Sequence, residues 1–365
     1  MRPASGQTMM TENATGRDFP LREARTLVRG LMKPDPRIYW ADFLFHVALG
    51  WAGFVTVVTA PALSLVQVAA YLVAGLALYR AVVFIHELAH LKKGTFRVFR
   101  IVWNVLCGIP LLVPSFTYDG VHNEHHRHDV YGTTGDGEYV PFAVRGPAAI
   151  IRYVLLSFLL PLFFAIRFVV LTPLSYVFAP LRASLWRHAS SLTIDFAYVR
   201  AENAIRNDTH WQRLELATTA FAVTVVGLVL SGVLSYRILV AWYVIGVLIF
   251  SLNSLRTLAA HAYRNAGEQQ LDIAGQYLDS VNVPGHLFLT ALWAPVGLRY
   301  HATHHLFPQM PYHNLGKAQR LLSEQLSDNA LFLSTVRNGL WDALRRLWQD
   351  AAARTTKSSP PSHHR

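Results

Sequence analysis

Three histidines, His301, His304 and His305, stand at i, i+3 and i+4 within Tyr300-His-Ala-Thr-His-His-Leu-Phe-Pro-Gln-Met-Pro-Tyr-His-Asn-Leu315. On a helix that spacing turns all three imidazoles to one face. The pattern occurs upstream as His122, His125 and His126, and a shorter box, His86-Glu-Leu-Ala-His90, precedes both. One such histidine is ordinarily a packed or solvent-facing side chain. Three boxes of matching geometry point to ligation, because neutral imidazole is the commonest nitrogen ligand of transition metals. His261, at the end of a later apolar run, repeats the placement of His86. The candidate ligands are therefore His86, His90, His122, His125, His126, His261, His301, His304 and His305. One zinc takes about four ligands, so this set suits two metals with four or five imidazoles each. Imidazole suits iron, copper or zinc. Zinc has no redox chemistry, so an oxidative centre would hold iron or copper. His86-Glu-Leu-Ala-His90 also matches the zinc-protease motif with Glu87 as base, but that reading leaves the other two boxes without a purpose. Under the multi-metal reading Glu87 is expected to orient an imidazole.

The elements that must position these boxes are membrane helices. Of 365 residues, 52% are hydrophobic and 15% charged, against about a quarter charged in soluble domains. The net charge is +11. Nucleic-acid binding is one explanation of such a balance. The charges sit between apolar runs, so a cytoplasmic face against anionic lipid is the better one, and no nucleic-acid partner is expected. The single cysteine, Cys107, excludes an intrachain disulfide and a Cys-ligated zinc or iron–sulfur centre. No signal-peptide apolar region is visible in residues 1–38.

Residues 1–38 read as a cytoplasmic lead-in. Runs 40–59 and 63–85 are each near the ~20 residues of a spanning helix, parted by Pro61 into a hairpin. The second run leads straight into the first box. Lys92, Lys93, Arg97 and Arg100 mark that side as cytoplasmic. His46, in the first run, belongs to no box and is expected to be packed or capped. Residues 101–118 are apolar but interrupted by Gly108, Pro110 and Pro114, which fits a re-entrant or interfacial segment. A glycine-rich loop, 131–141, follows the second box. Residues 147–180 are apolar, yet contain Arg152 and Arg167 and are broken by prolines. A full span there would put the third box on the opposite side from the others, so an interfacial or re-entrant course is expected. Residues 181–213, with Arg182, Arg187, Arg200, Arg206 and Arg213, read as extramembrane, with His188 and His210 on the surface. Runs 214–234 and 237–260 form a second hairpin. Residues 316–348 give two amphipathic helices that pack as a cytoplasmic cap, and the tail from 352, including His363 and His364, is expected to be disordered. The expected fold is all-α and integral to the membrane. It has four transmembrane helices in two hairpins, interfacial helices, and a cytosolic helical cap carrying the boxes. The expected divisions are 1–38, a membrane domain 39–325, a C-terminal amphipathic helix 326–351 and a tail 352–365.

The boxes His-x3-His, His-x2-His-His and His-x2-His-His, in this order between two hydrophobic hairpins, resemble the membrane fatty acid desaturase superfamily. So does the run His304-His-Leu-Phe-Pro-Gln-Met-Pro-Tyr-His-Asn-Leu315, and the resemblance covers residues 40–325. It implies a non-haem di-iron centre, molecular oxygen as co-substrate, and two electrons from a separate donor. It also implies a lipid or fatty acyl substrate and a multi-pass place in the bacterial inner membrane with the site facing the cytoplasm. The superfamily's additional histidine before the third box maps onto His261, although no Asn lies four residues ahead of it. No His-Pro-Gly-Gly haem motif occurs, so the donor is expected to be another protein such as a ferredoxin, steered by the basic face. Introduction of a double bond into an acyl chain is the expected reaction. The first box also resembles that of membrane alkane hydroxylases, so hydroxylation is the runner-up. Decarboxylation of fatty acids to 1-alkenes uses the same scaffold. The non-enzyme alternative is a membrane metal-binding or transport protein, which should carry ionisable groups within its spans.

Overall fold

A computed structural model describes residues 19–91, 94–201, 209–267 and 269–358. The first 18 residues, Lys92, Lys93, Arg206, His363 and His364 lie outside them. Four helices are long and apolar enough to cross a membrane: α1 (Pro36–Thr59), α2 (Leu65–His90), α3 (Thr209–Leu230) and α4 (Arg237–Leu258). Each hairpin follows from local chemistry. Asp35 caps α1 by accepting from the Arg37 N–H at 2.9 Å, with Pro36 in the first turn. Past Pro61, Ser64 caps α2 by accepting from the Gln67 N–H at 3.2 Å. Small residues let the spans close on one another. A Cβ added at Gly75 of α2 would lie 2.3 Å from Leu248 of α4, and one at Gly50 of α1 would lie 2.7 Å from Leu78 of α2.

The expected interruptions are present. Residues 101–118 carry the end of a short helix, a π-turn at Asn104–Gly108 and a 3-10 turn at Ser115–Thr117. Trp51 and Trp242 Nε1 donate to the freed carbonyls of Leu106 and Pro110 at 2.8 and 3.0 Å, as apolar surroundings require. Residues 147–175 form two helices, Pro147–Leu156 and Leu160–Ser175, bent by 50°. The regular elements of the described residues are otherwise helices, with isolated bridges His261–Ser280, Asn282–Tyr300 and Asn282–Val336 in place of a sheet.

At the N-terminal end, Ala24 and Val28 of the Leu21–Val28 helix pack with Leu315, Ala318 and Leu322 beside the third box. One expectation about the ends changes. The last helix, Leu340–Ser358, runs through residues 352–358, which were expected to be disordered. Ala351-Ala-Ala-Arg354 extends it because alanine is the strongest helix former. Residues 359–365 lie outside the described chain.

Candidate metal centre

The eight boxed histidines and His261 converge. His86 and His90 end α2, and His261 stands three residues beyond α4. His122 and His125 lie on a five-residue helix, Val121–His125, and His301, His304 and His305 on His301–Leu306. The third-box helix is held by buried amides: Asn282 Oδ1 accepts from the Thr303 N–H at 3.1 Å, and Asn282 Nδ2 donates to Gln319 Oε1 at 2.9 Å.

The boxes do not map one to one onto metals. His86, His90, His122 and His304 form one group, and His125, His261, His301 and His305 another, with ligand atoms within 4.8 Å of one another in each. His126 stands between them. Its Nε2 is 3.2 Å from His122 Nε2 and 3.1 Å from His304 Nε2, and its ring centre is 4.4 Å from that of His305. Each three-histidine box is thus shared between the groups. Of the other described histidines, His46 bonds to Asp42, His313 Nε2 accepts from the Asp35 N–H at 3.1 Å, and His128, His188, His210 and His286 are exposed.

The surroundings decide which ring nitrogen carries a lone pair. Asp136 Oδ2 takes His125 Nδ1–H at 2.8 Å, and the Glu138 carboxylate takes His122 Nδ1–H. Tyr131 donates its hydroxyl to Asp279 at 3.0 Å and lies 2.9 Å from His261 Nδ1, so it accepts the imidazole proton. In all three rings Nε2 is left as a lone pair facing inward. Burial, with neighbouring imidazoles adding to it, holds His122, His126, His261, His301, His304 and His305 well below the usual histidine range. Burial also lowers His125, but Asp136 outweighs it and raises this group. Burial pushes the Glu138 carboxyl up to about 7.

This donor set fits metal. Both ring nitrogens of His86, and Nδ1 of His126, His301, His304 and His305, are buried with no hydrogen-bond partner. Unpaired buried polar atoms are costly and uncommon. Several Nε2 atoms face one another at 2.8–3.2 Å, and neutral imidazoles have too few protons to bridge them all. Cations between the rings would take up these facing Nε2 lone pairs.

Glu87 is not the expected imidazole orienter. It accepts from the Tyr39 hydroxyl and from the Tyr312 N–H at 3.2 Å, and its nearest approach to His86 Nδ1 is 3.8 Å, beyond hydrogen-bond range. It ties α1 to the flank of the third box. The orienting residues are Asp136, Glu138, Tyr131 and Asp279. Three of the four lie in the glycine-rich loop after the second box, where two acids among glycines were the available signal.

One cavity is lined both by His86, His122, His125, His261 and His301 and by apolar side chains that include Leu111, Val113, Leu160, Ile249 and Phe250. Such an arrangement can bring an alkyl chain against the bound metals while keeping water out. The comparisons agree with it. A family model described as fatty acid desaturase matches residues 62–336. A ceramide hydroxylase of Caulobacter vibrioides (strain NA1000 / CB15N) is 39% identical over 351 residues, covering 96% of this chain and 99% of that protein. Joined to the convergent histidines and the four spans, these matches place the chain: it belongs to the fatty acid desaturase family, membrane oxidoreductases of the desaturase and hydroxylase type.

Proposed function

We propose that this chain is a di-iron membrane hydroxylase acting on a ceramide-like lipid. The observation that carries the reading is a largely apolar cavity that members of both histidine groups line. The near full-length similarity to a protein named a ceramide hydroxylase favours hydroxylation. Desaturation of an acyl chain, the expectation from the boxes alone, is the second reading, favoured by the family match over residues 62–336. Decarboxylation to a 1-alkene and metal transport have no such support.

His86, His90, His122 and His304 would hold one iron, and His125, His261, His301 and His305 the other, with His126 between them. Iron bound there supplies the oxygen-dependent oxidation of an unactivated C–H bond. Hydroxylation consumes O2, two electrons and two protons, inserts one oxygen atom and releases one water; desaturation releases two. The chain's own part is positional. Asp136, Glu138 and Tyr131 hold imidazole tautomers, and the cavity walls fix which carbon lies at the centre. The electrons would come from a separate protein such as a ferredoxin, guided by a basic cytoplasmic face. The site would face the cytoplasm of a bacterial inner membrane. Within that reading residues 39–325 form the membrane domain, 1–38 the lead-in and 326 onward the C-terminal helical part.

The test is expression of the wild-type chain with a ferredoxin system in a ceramide-containing host, beside His304→Ala, with lipids read by mass spectrometry. A hydroxylated ceramide absent from the control is the expected result. New double bonds would favour the second reading, and unchanged product in the His304→Ala control would sink the di-iron centre.

A further inference from the structure

The α4 helix lines the cavity with a stripe, Trp242, Gly246, Ile249, Asn253, Arg256 and Thr257. These positions recur at helical spacing, so one face of α4 is exposed to the cavity along its length. The stripe is apolar through Ile249 and polar from Asn253 onward. From Trp242 to Asn253 the helix rises about 16 Å, the apolar reach of the cavity. The polar end adjoins the histidines: Arg256 is five residues ahead of His261, and both line the cavity together with His301.

Among the described residues Arg256 has no direct ion-pair partner. Nη2 donates to Asn253 Oδ1 at 2.9 Å, while Nε is buried with no partner. Tyr79, Tyr118, Tyr153 and Tyr263 line the cavity with it, and Arg256 is absent from the ion pairs of the described residues. Glu138 lines the same cavity but is committed to His122. A buried donor of this kind wants an acceptor oxygen.

We infer that Arg256 and Asn253 dock the oxygen-bearing head of the lipid, so that the oxidised carbon is among the first few from that head. The inference rests on the hydroxylase reading and gives it a substrate register. A head at Arg256 and a chain running toward Trp242 leave only head-proximal carbons beside the histidines. A mid-chain oxidase would need apolar wall there, with its polar anchor far from the metals. The acceptor oxygen is the amide carbonyl of an N-acyl lipid, and a free fatty acid carboxylate presents the same chemistry.

The test uses the purified full chain in detergent, loaded with iron, with wild type, Arg256→Gln and Arg256→Lys compared. Two ligands are added separately, a saturated N-acyl sphinganine and palmitate. The first readout is the shift in melting temperature on adding ligand to the unreduced protein, which requires no turnover. The second is the product's hydroxyl position by tandem mass spectrometry. The expected result is a head-proximal hydroxyl, and a ligand-induced shift lost in Arg256→Gln and partly kept in Arg256→Lys at unchanged iron content. kcat/KM should fall about ten- to a hundred-fold in Arg256→Gln, chiefly through KM. A larger shift with palmitate keeps the docking site and makes the free acid its ligand. A shift lost in Arg256→Gln without hydroxylated product from the wild type keeps the site and refutes the hydroxylase reading. A mid-chain hydroxyl, or an unaltered shift in a folded Arg256→Gln protein, overturns the inference.

Discussion

Arg167 and Arg256 both lie within apolar stretches, and the protein treats them differently. Arg167 is closed off. Nη2 pairs with Glu215 Oε1 at 2.6 Å, Nε donates to the Ala189 carbonyl at 2.9 Å, and Nη1 bonds Thr172. Arg182 takes the second carboxylate oxygen of Glu215 at 2.5 Å and lies over the Trp211 ring. Every side-chain nitrogen of Arg167 and both oxygens of Glu215 find a partner inside the protein, so this ion-pair network locks the bent 147–175 segment to α3. Around Arg256 and the histidines the count does not close, because buried nitrogens remain without partners. One buried polar region is complete and structural. The other is incomplete without metal and ligand, and that difference marks it as the functional one.

Breaking the incomplete region should have the largest effect on function. His125→Ala and His304→Ala each remove a ligand from a different group. Both should drop lipid oxidation below detection and lower iron per chain, read by elemental analysis. Stripping the metal with a chelator should lower the melting temperature of the wild type, because metal binds only the assembled site. A stripped protein that melts unchanged would show that the imidazoles are satisfied without it.

Breaking the complete region should do the reverse. Glu215→Gln leaves Arg167 buried with its charge unmatched, since Arg167 is 1% and Glu215 0% exposed. The expected loss is about 3–5 kcal/mol, seen as a lower melting temperature in detergent, with iron per folded chain unchanged. The double change Arg167→Met with Glu215→Leu should recover part of that stability, because an apolar pair of similar volume can replace a buried ion pair.

Asp136→Asn sharpens the comparison at smaller cost. The asparagine can keep one backbone contact, but it no longer fixes the His125 tautomer with a negative charge. A loss of about ten- to a hundred-fold in activity or metal affinity is expected, with little change in melting temperature. A loss of stability without a loss of affinity would move Asp136 to the structural side.

How much of this was legible from the chain depends on the range of the interaction. The hairpins and the interrupted 101–118 and 147–180 stretches follow from runs of apolar residues and prolines, which act locally. The nine candidate ligands were visible because i, i+3 and i+4 spacing on a helix is itself a local rule. Their partition was not, since His122 and His125 go to different groups only when three distant helix ends meet. The same holds for Asp279 reaching Tyr131 and Tyr139 across more than a hundred residues. Nothing near Glu215 says that its partner is Arg167, and nothing near Glu87 says that it serves Tyr39 and Tyr312.

The smallest effect is expected where the two regions touch. Pro161, in the bent segment that Arg167 anchors, packs on Gly246 of α4, in the stripe that ends at Arg256. A Cβ at Gly246 would lie 3.2 Å from Pro161 Cγ, so Gly246→Ala asks this contact to give by a few tenths of an ångström. The segment can yield outward or the cavity can narrow. If the cavity narrows, the cost falls on the lipid chain passing Gly246. One lost methylene contact is worth about 0.8 kcal/mol, a roughly four-fold fall in kcat/KM for the longest accepted chain and little for shorter ones. Melting temperature and iron content should stay near wild type. A uniform fall across chain lengths would place the strain in the scaffold instead, and the knot at Glu215 would then be coupled to catalysis rather than merely supporting it.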